Sequence, residues 1–120
     1  MGATNFETVS LGKDAGDAFR SAVADARHEY GHGGYTGTIA EKDGFTVFGL
    51  PAGVTARELM GWVEKACYSI MPEGLPAEHR ALVMEMAGVY NDKWGPAVCL
   101  ELSRDPGGVG TFLFAGFASE

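Results

Sequence analysis

The sequence of 120 residues has few basic side chains and no long apolar run. Nine Lys and Arg stand against sixteen Asp and Glu, which gives a formal net charge of −7. This negative field repels phosphate backbones and anionic lipid, so we expect neither a nucleic-acid polymer nor a membrane as a partner. No apolar stretch reaches the length of a bilayer span, and residues 1–5 lack the features of a signal peptide. We therefore expect a cytoplasmic protein.

Cysteine is also scarce, with two residues and no CxxC pair. Cys67 falls in a helical pattern and Cys99 in a strand pattern, so we interpret both as reduced core residues, while a bridge between them stays open. Hydrophobic residues make up 46% of the chain, enough to form a core without disulfides or a structural metal. The length fits one domain over residues 1–120.

The order of apolar patterns predicts an α+β fold with the element order β-α-β-β-α-α-β-β. Alternating runs predict about five strands, and helical spacing predicts three helices. The strands are expected at 6–11, 35–40, 45–50, 97–102 and 111–117, and the helices at 14–30, 55–70 and 76–90. The Asp43-Gly44 turn indicates a hairpin between the second and third strands. We expect an antiparallel or mixed sheet with helices packed on one side.

The last predicted strand is apolar on both faces. Phe112, Leu113, Phe114 and Phe117 alternate along it. Such a strand either lies in the centre of the sheet or turns its second face to another subunit. A homodimer through Phe114 and Phe117, acting as a structural or interaction module, is therefore one hypothesis.

The string HEYGH at residues 28–32 matches H-E-x-x-H, in which two histidines one helical turn apart bind zinc and the glutamate activates water. It would make His28 and His32 zinc ligands and Glu29 the base of a hydrolase or peptidase. Against this, Gly31 and the glycines after it are expected to end the helix, His28 should face solvent, and the only further histidine is His79. The competing interpretation is two surface histidines near a helix C-terminus.

A glycine-rich loop, GHGGYTG at residues 31–37, gathers polar side chains beside that helix end. It lacks the order of a dinucleotide-binding fingerprint, because its glycines follow a helix and precede a strand. A helix cap followed by entry into a strand explains the glycines, yet binding groups often collect in such loops. The candidate ligand-binding residues here are Arg27, His32, Tyr35 and Thr36. Lys93 and Trp94 are added from a second loop that is expected to approach the first.

The segment YGHGGYTGTIAEK at residues 30–42 resembles a stretch found in short uncharacterised proteins of bacteriophages and actinobacterial mobile elements. The resemblance carries no activity and transfers no functional residue. It implies a context in which small accessory proteins block a host protein or sequester a host nucleotide signal.

These observations favour a small non-enzymatic binding protein over an enzyme, since no complete catalytic set is found in the sequence. The expected partner is a small, nucleotide-like ligand or a host protein, and no cofactor is expected. A zinc-dependent hydrolase using HEYGH and a dimeric interaction module are the alternatives.

Overall fold

The computed structural model describes residues 2–31, 33–70 and 72–120. Within them the chain forms four strands, three α-helices and two single 3₁₀ turns. In chain order these are β1 (Ala3–Gly12), α1 (Ala15–Tyr30), a turn at Ile39–Glu41, β2 (Phe45–Phe48), α2 (Ala56–Cys67), a turn at Ala77–His79, α3 (Arg80–Tyr90), β3 (Ala97–Arg104) and β4 (Gly110–Ser119). None of the described helices has the length and apolar character needed to cross a membrane.

The four strands form one mixed sheet in the order β1-β4-β3-β2. The β1–β4 and β3–β4 pairs are antiparallel, whereas β2 runs parallel to β3. The predicted α+β class and mixed sheet are thus confirmed, with four strands in the described residues instead of about five.

The predicted strand at 35–40 is wrong, and so is the hairpin that depended on it. This segment is a loop that closes into the Ile39–Glu41 turn, where Thr38 is the N-cap and its hydroxyl accepts from the amide of Ala40 at 3.2 Å. The Gly37 amide donates to Ser119 O at 2.8 Å, which ties the loop to the end of β4. Without a neighbour at 35–40, β2 pairs instead with the distant strand β3.

Helices cover both faces of the sheet, which corrects the prediction of helices on one side. Along β3, Val98 and Leu100 belong to the core formed with α2 and α3. Cys99, between them, points to the opposite face and packs in the core formed with α1. A strand that is buried on both faces has a continuous apolar sequence instead of alternating apolar and polar residues, and residues 97–100 have such a sequence.

The last strand lies in the centre of the sheet, as the first of its two interpretations predicted. Phe112 and Phe114 of β4 pack under α1, and Leu113 packs under α2 and α3. Phe117 contacts the ring of Tyr90, with the two centroids 5.4 Å apart. The apolar faces of β4 are therefore covered by helices of the same chain, and they give no reason for a dimer through this strand.

Short-range hydrogen bonds account for the starts of α1 and α2, which the sequence predicted. The predicted end of the second helix at 70 is wrong, because α2 ends at Cys67 and Ser69 adopts a positive φ of 61°. The Asp14 carboxylate accepts from the Asp17 amide at 2.8 Å and caps α1. In α2, the side chains of Thr55 and Glu58 each bond the other's backbone amide, which is the capping box expected from the sequence.

Both cysteines are free, so no bridge forms between them. Cys67 is half-buried at the end of α2, while Cys99 is buried under α1 on the other side of the sheet. Burial raises the pKa of the Cys99 thiol to about 11, which keeps it protonated and unreactive near neutral pH.

Candidate functional site

A cleft of about 390 Å³ lies beside the last turn of α1. Arg27 and Gly31 line it from the helix end, Gly34 from the glycine-rich loop, and Ala40 and Glu41 from the 3₁₀ turn. We call it the Arg27–Glu41 cleft. Two candidates from the sequence, Arg27 and the loop at 31–37, therefore meet at one place, because the C-cap at Gly31 (φ +86°) turns the chain back past the helix.

Glu41 organises the loop that borders this cleft. Its Oε2 accepts from the Thr36 amide at 3.1 Å and from the Thr36 hydroxyl at 2.8 Å. The nearby amide of Tyr35 also favours the charged form of this carboxylate and lowers its pKa. The Thr36 amide is therefore bonded to an anionic side chain of the same chain and is not available to an external anion.

The Glu41 carboxylate is held in its charged form. Burial acts to raise the pKa of Glu41, but the bonds from Thr36, the nearby amide of Tyr35 and the positive charge of Arg27 outweigh it and lower the pKa. Arg27 itself is exposed, and among the described residues it forms no ion pair within 4.0 Å with Glu41. The cleft thus presents a cation and an anion that do not neutralise each other by direct contact.

Tyr35 is the aromatic side chain of this loop and is 51% exposed. Its backbone lies in the left-handed region at φ +55°, which is uncommon for a residue other than glycine and costs about 1 kcal/mol or more. The ring is thus displayed at the surface next to Gly34, a residue of the cleft lining.

The described residues of the HEYGH string, 28–31, do not all lie in the helix. The helix ends at Tyr30 and Gly31 is the cap, so the helical spacing that a zinc-binding H-E-x-x-H requires stops before the second histidine. His28 and Glu29 are exposed on the last turn, as expected for His28. His32 lies outside the described residues. In the described part of the chain, no three His, Cys, Asp or Glu side chains come together as metal ligands.

Lys93 and Trp94 lie at the same end of the sheet but do not line the Arg27–Glu41 cleft. The Lys93 ammonium lies 5.1 Å from the centroid of the Trp94 ring and 3.4 Å from Gly2 O. Their loop is joined to the 3₁₀ turn by Lys42, whose Nζ donates to Asp92 O at 3.0 Å. This bond joins the loop of Lys93 and Trp94 to the buried lysine that follows the 3₁₀ turn, and it does not involve the glycine-rich loop at 31–37.

Two residues of this region were not found from the sequence, Glu41 and Lys42. Both fall in a segment interpreted as a polar hairpin loop, although Lys42 is only 3% exposed. Burial lowers the pKa of the Lys42 ammonium, and the nearby Asp92 offsets this only in part. The signal for Glu41 was the spacing Thr38-x-x-Glu41, which is typical of a helix start and would have indicated a helical turn here.

Comparisons with protein-family models, with curated proteins and with solved structures found no match to this chain. The functional argument therefore depends on the residues of the cleft.

Proposed function

We propose that this chain is a small binding protein that takes a nucleotide-like ligand in the Arg27–Glu41 cleft and performs no chemistry on it. The observation that carries the proposal is that an exposed guanidinium and a carboxylate that stays charged line the same cleft. A nucleobase edge offers N–H donors beside oxygen and nitrogen acceptors, so it can satisfy both groups at once.

The carboxylate has one oxygen to spare for such a ligand. Thr36 takes Oε2 with two hydrogen bonds. The other oxygen, Oε1, lies toward Gly34, where a Cβ added to that glycine would sit 4.0 Å from it. Oε1 would accept from the base, Arg27 would donate to its acceptors, and the exposed ring of Tyr35 would stack on its face.

The ligand is held by side chains in this proposal, and its phosphates stay near solvent. The amide of Thr36 already donates to Glu41, so a phosphate group could reach it only by displacing a charged carboxylate. Affinity should therefore depend on the base more than on the number of phosphates. In the phage context that the resemblance implies, such a protein would sequester a nucleotide of the host.

Isothermal titration with the 5′-monophosphates of guanosine, adenosine, cytidine and uridine tests the proposal. We expect one site per chain and a preference for one base. Arg27→Ala and Glu41→Gln should each weaken binding about tenfold or more, because each removes a hydrogen bond to a charged group. Arg20→Ala, on the same helix and also exposed, is the matched control and should bind as the unchanged protein does.

Two results would contradict the proposal. One is the absence of saturable binding to all four nucleotides. The other is an equal loss of affinity in Arg27→Ala and Arg20→Ala, since that would reflect net charge and not the cleft. Melting temperatures separate binding from folding: Arg27→Ala should melt as the unchanged protein does, because its side chain is exposed.

A further inference from the structure

The outer edge of β1 is long, and Glu7 is the single charged residue among its ten. The strand has ten residues, ATNFETVSLG, with neither Lys nor Pro among them. Its register with β4 continues from Ala3 to Gly12 without a bulge. Exposed edges of this kind are templates for pairing with another strand, and most proteins blunt them with charges, prolines or bulges. The opposite edge of the sheet, β2, has only four residues.

The backbone groups that face outward on β1 belong to its odd-numbered residues. The Glu120 amide donates to Gly2 O at 3.3 Å, so even-numbered residues turn toward β4. In an antiparallel ladder, the groups of alternate residues point to opposite sides of the strand. In the described part of the chain no strand pairs with the outer side, so the amides and carbonyls of Glu7, Val9 and Leu11 face away from the sheet.

The same residues present an exposed apolar pair. Val9 is 58% exposed and Leu11 is 61% exposed. They lie opposite Leu113 and Thr111, on the face of the sheet that α2 and α3 cover farther in. Backbone hydrogen-bonding groups and apolar side chains are therefore available together on one edge.

We propose that β1 pairs antiparallel with β1 of a second copy, making one continuous eight-stranded sheet across a two-fold axis. A two-fold axis perpendicular to the sheet keeps each face on its own side, so residues of like parity meet. One register places Val9 opposite Leu11 of the second copy and, by symmetry, Leu11 opposite Val9. The axis then passes between the two copies of Ser10.

The charges along β1 favour this register. They also favour a second copy of the chain as the partner of the β1 edge. When Val9 faces Leu11, Glu7 comes to lie opposite Lys13, the exposed residue directly after β1. The pair forms twice and flanks the apolar centre on both sides. A register centred on Glu7 would instead oppose two carboxylates. Because the Lys13 amide already donates to Asp17 at 3.0 Å, this contact is made by side chains.

Sedimentation equilibrium of the full chain over a range of concentrations tests the pairing. We expect a reversible dimer. Val9→Lys should weaken it at least tenfold, because it sets two ammonium groups in the apolar centre. Val47→Lys makes the same change at a 56% exposed site on β2 and should leave the dimer unchanged. Circular dichroism checks that both variants fold.

A charge swap tests the register. Glu7→Lys and Lys13→Glu should each weaken the dimer roughly tenfold, since two like-charge pairs replace two opposite ones. The double variant should recover the affinity of the unchanged protein. A chain that stays monomeric up to about 1 mM, a dimer that Val47→Lys weakens as much as Val9→Lys does, or a double variant without recovery would each overturn the proposal.

Discussion

Replacing Phe114 with alanine should remove the centre of the core between α1 and the sheet. The Phe114 ring is fully buried, and its centroid lies 5.6 Å from that of Phe19 and 5.8 Å from that of Phe45. These rings join β4, α1 and β2, so the space left by one of them cannot close by a small shift of a single element. Large-to-small changes of this kind cost about 3–5 kcal/mol. The edge-to-face contacts account for about 0.5–1.5 kcal/mol each within that range.

Urea denaturation followed by circular dichroism measures this loss as a lower midpoint at a similar slope. If the free energy of unfolding lies near the lower end of the usual range of about 5–15 kcal/mol, this loss leaves the variant partly unfolded at 37 °C. Val47→Ala is the control, because this side chain lies on the same face of the sheet but is exposed. It should change stability by less than about 0.5 kcal/mol. A loss below about 1.5 kcal/mol for Phe114→Ala would refute the three-ring core.

Three further substitutions test the polar contacts. Glu41→Gln should lower the free energy of unfolding by about 1–2 kcal/mol near neutral pH. Because the folded state lowers the pKa of Glu41 below its ordinary 4.5, this cost should vanish as the pH falls through the lowered pKa. Urea denaturation at a series of pH values from 7 to 3 measures the change. Lys42→Met should raise the free energy of unfolding by about 1 kcal/mol at neutral pH. Because the pKa of Lys42 is lowered in the folded state, the unchanged protein gains stability as the pH rises toward 10.5, the ordinary pKa of lysine, so the advantage of the variant should shrink at alkaline pH. A variant that melts at a lower temperature would instead show that the bond to Asp92 outweighs the cost of burial. Thr55→Ala should cost about 1 kcal/mol in urea denaturation through the lost cap with Glu58, and an unchanged midpoint would contradict that role.

Both ends of α1 and the start of α2 were predictable because their determinants lie within a few residues of each other. Asp14 bonds an amide three residues on, and Thr55 does the same with Glu58. Gly31 ends α1 through its own positive φ. Such contacts form in any environment that leaves the segment helical, so the local sequence is enough to indicate them.

The segment at 35–40 was mispredicted because a distant contact overrides its composition. Tyr, Thr and Ile favour strands, and all three occur in this segment. The Gly37 amide nevertheless donates to Ser119 O, more than eighty residues away in the chain, and no described strand pairs with the segment. The candidate site was predicted only in part, because local sequence does not show the contacts that form when the loop folds back. Arg27, Tyr35 and Thr36 were identified from the loop itself, whereas the role of Glu41 depends on how that loop folds back.

The α+β class, both ends of α1, the start of α2, the reduced state expected of the two cysteines and the region in which polar groups gather could be inferred from local sequence. Other features depend on the folded chain: β2 joins β3 in parallel, helices cover both faces of the sheet, Lys42 is buried, and β1 forms an open edge. The difference arises from distance along the chain. Caps and turns satisfy backbone groups within a few residues, while strand order and burial are set by contacts between segments far apart, whose closure depends on the whole core.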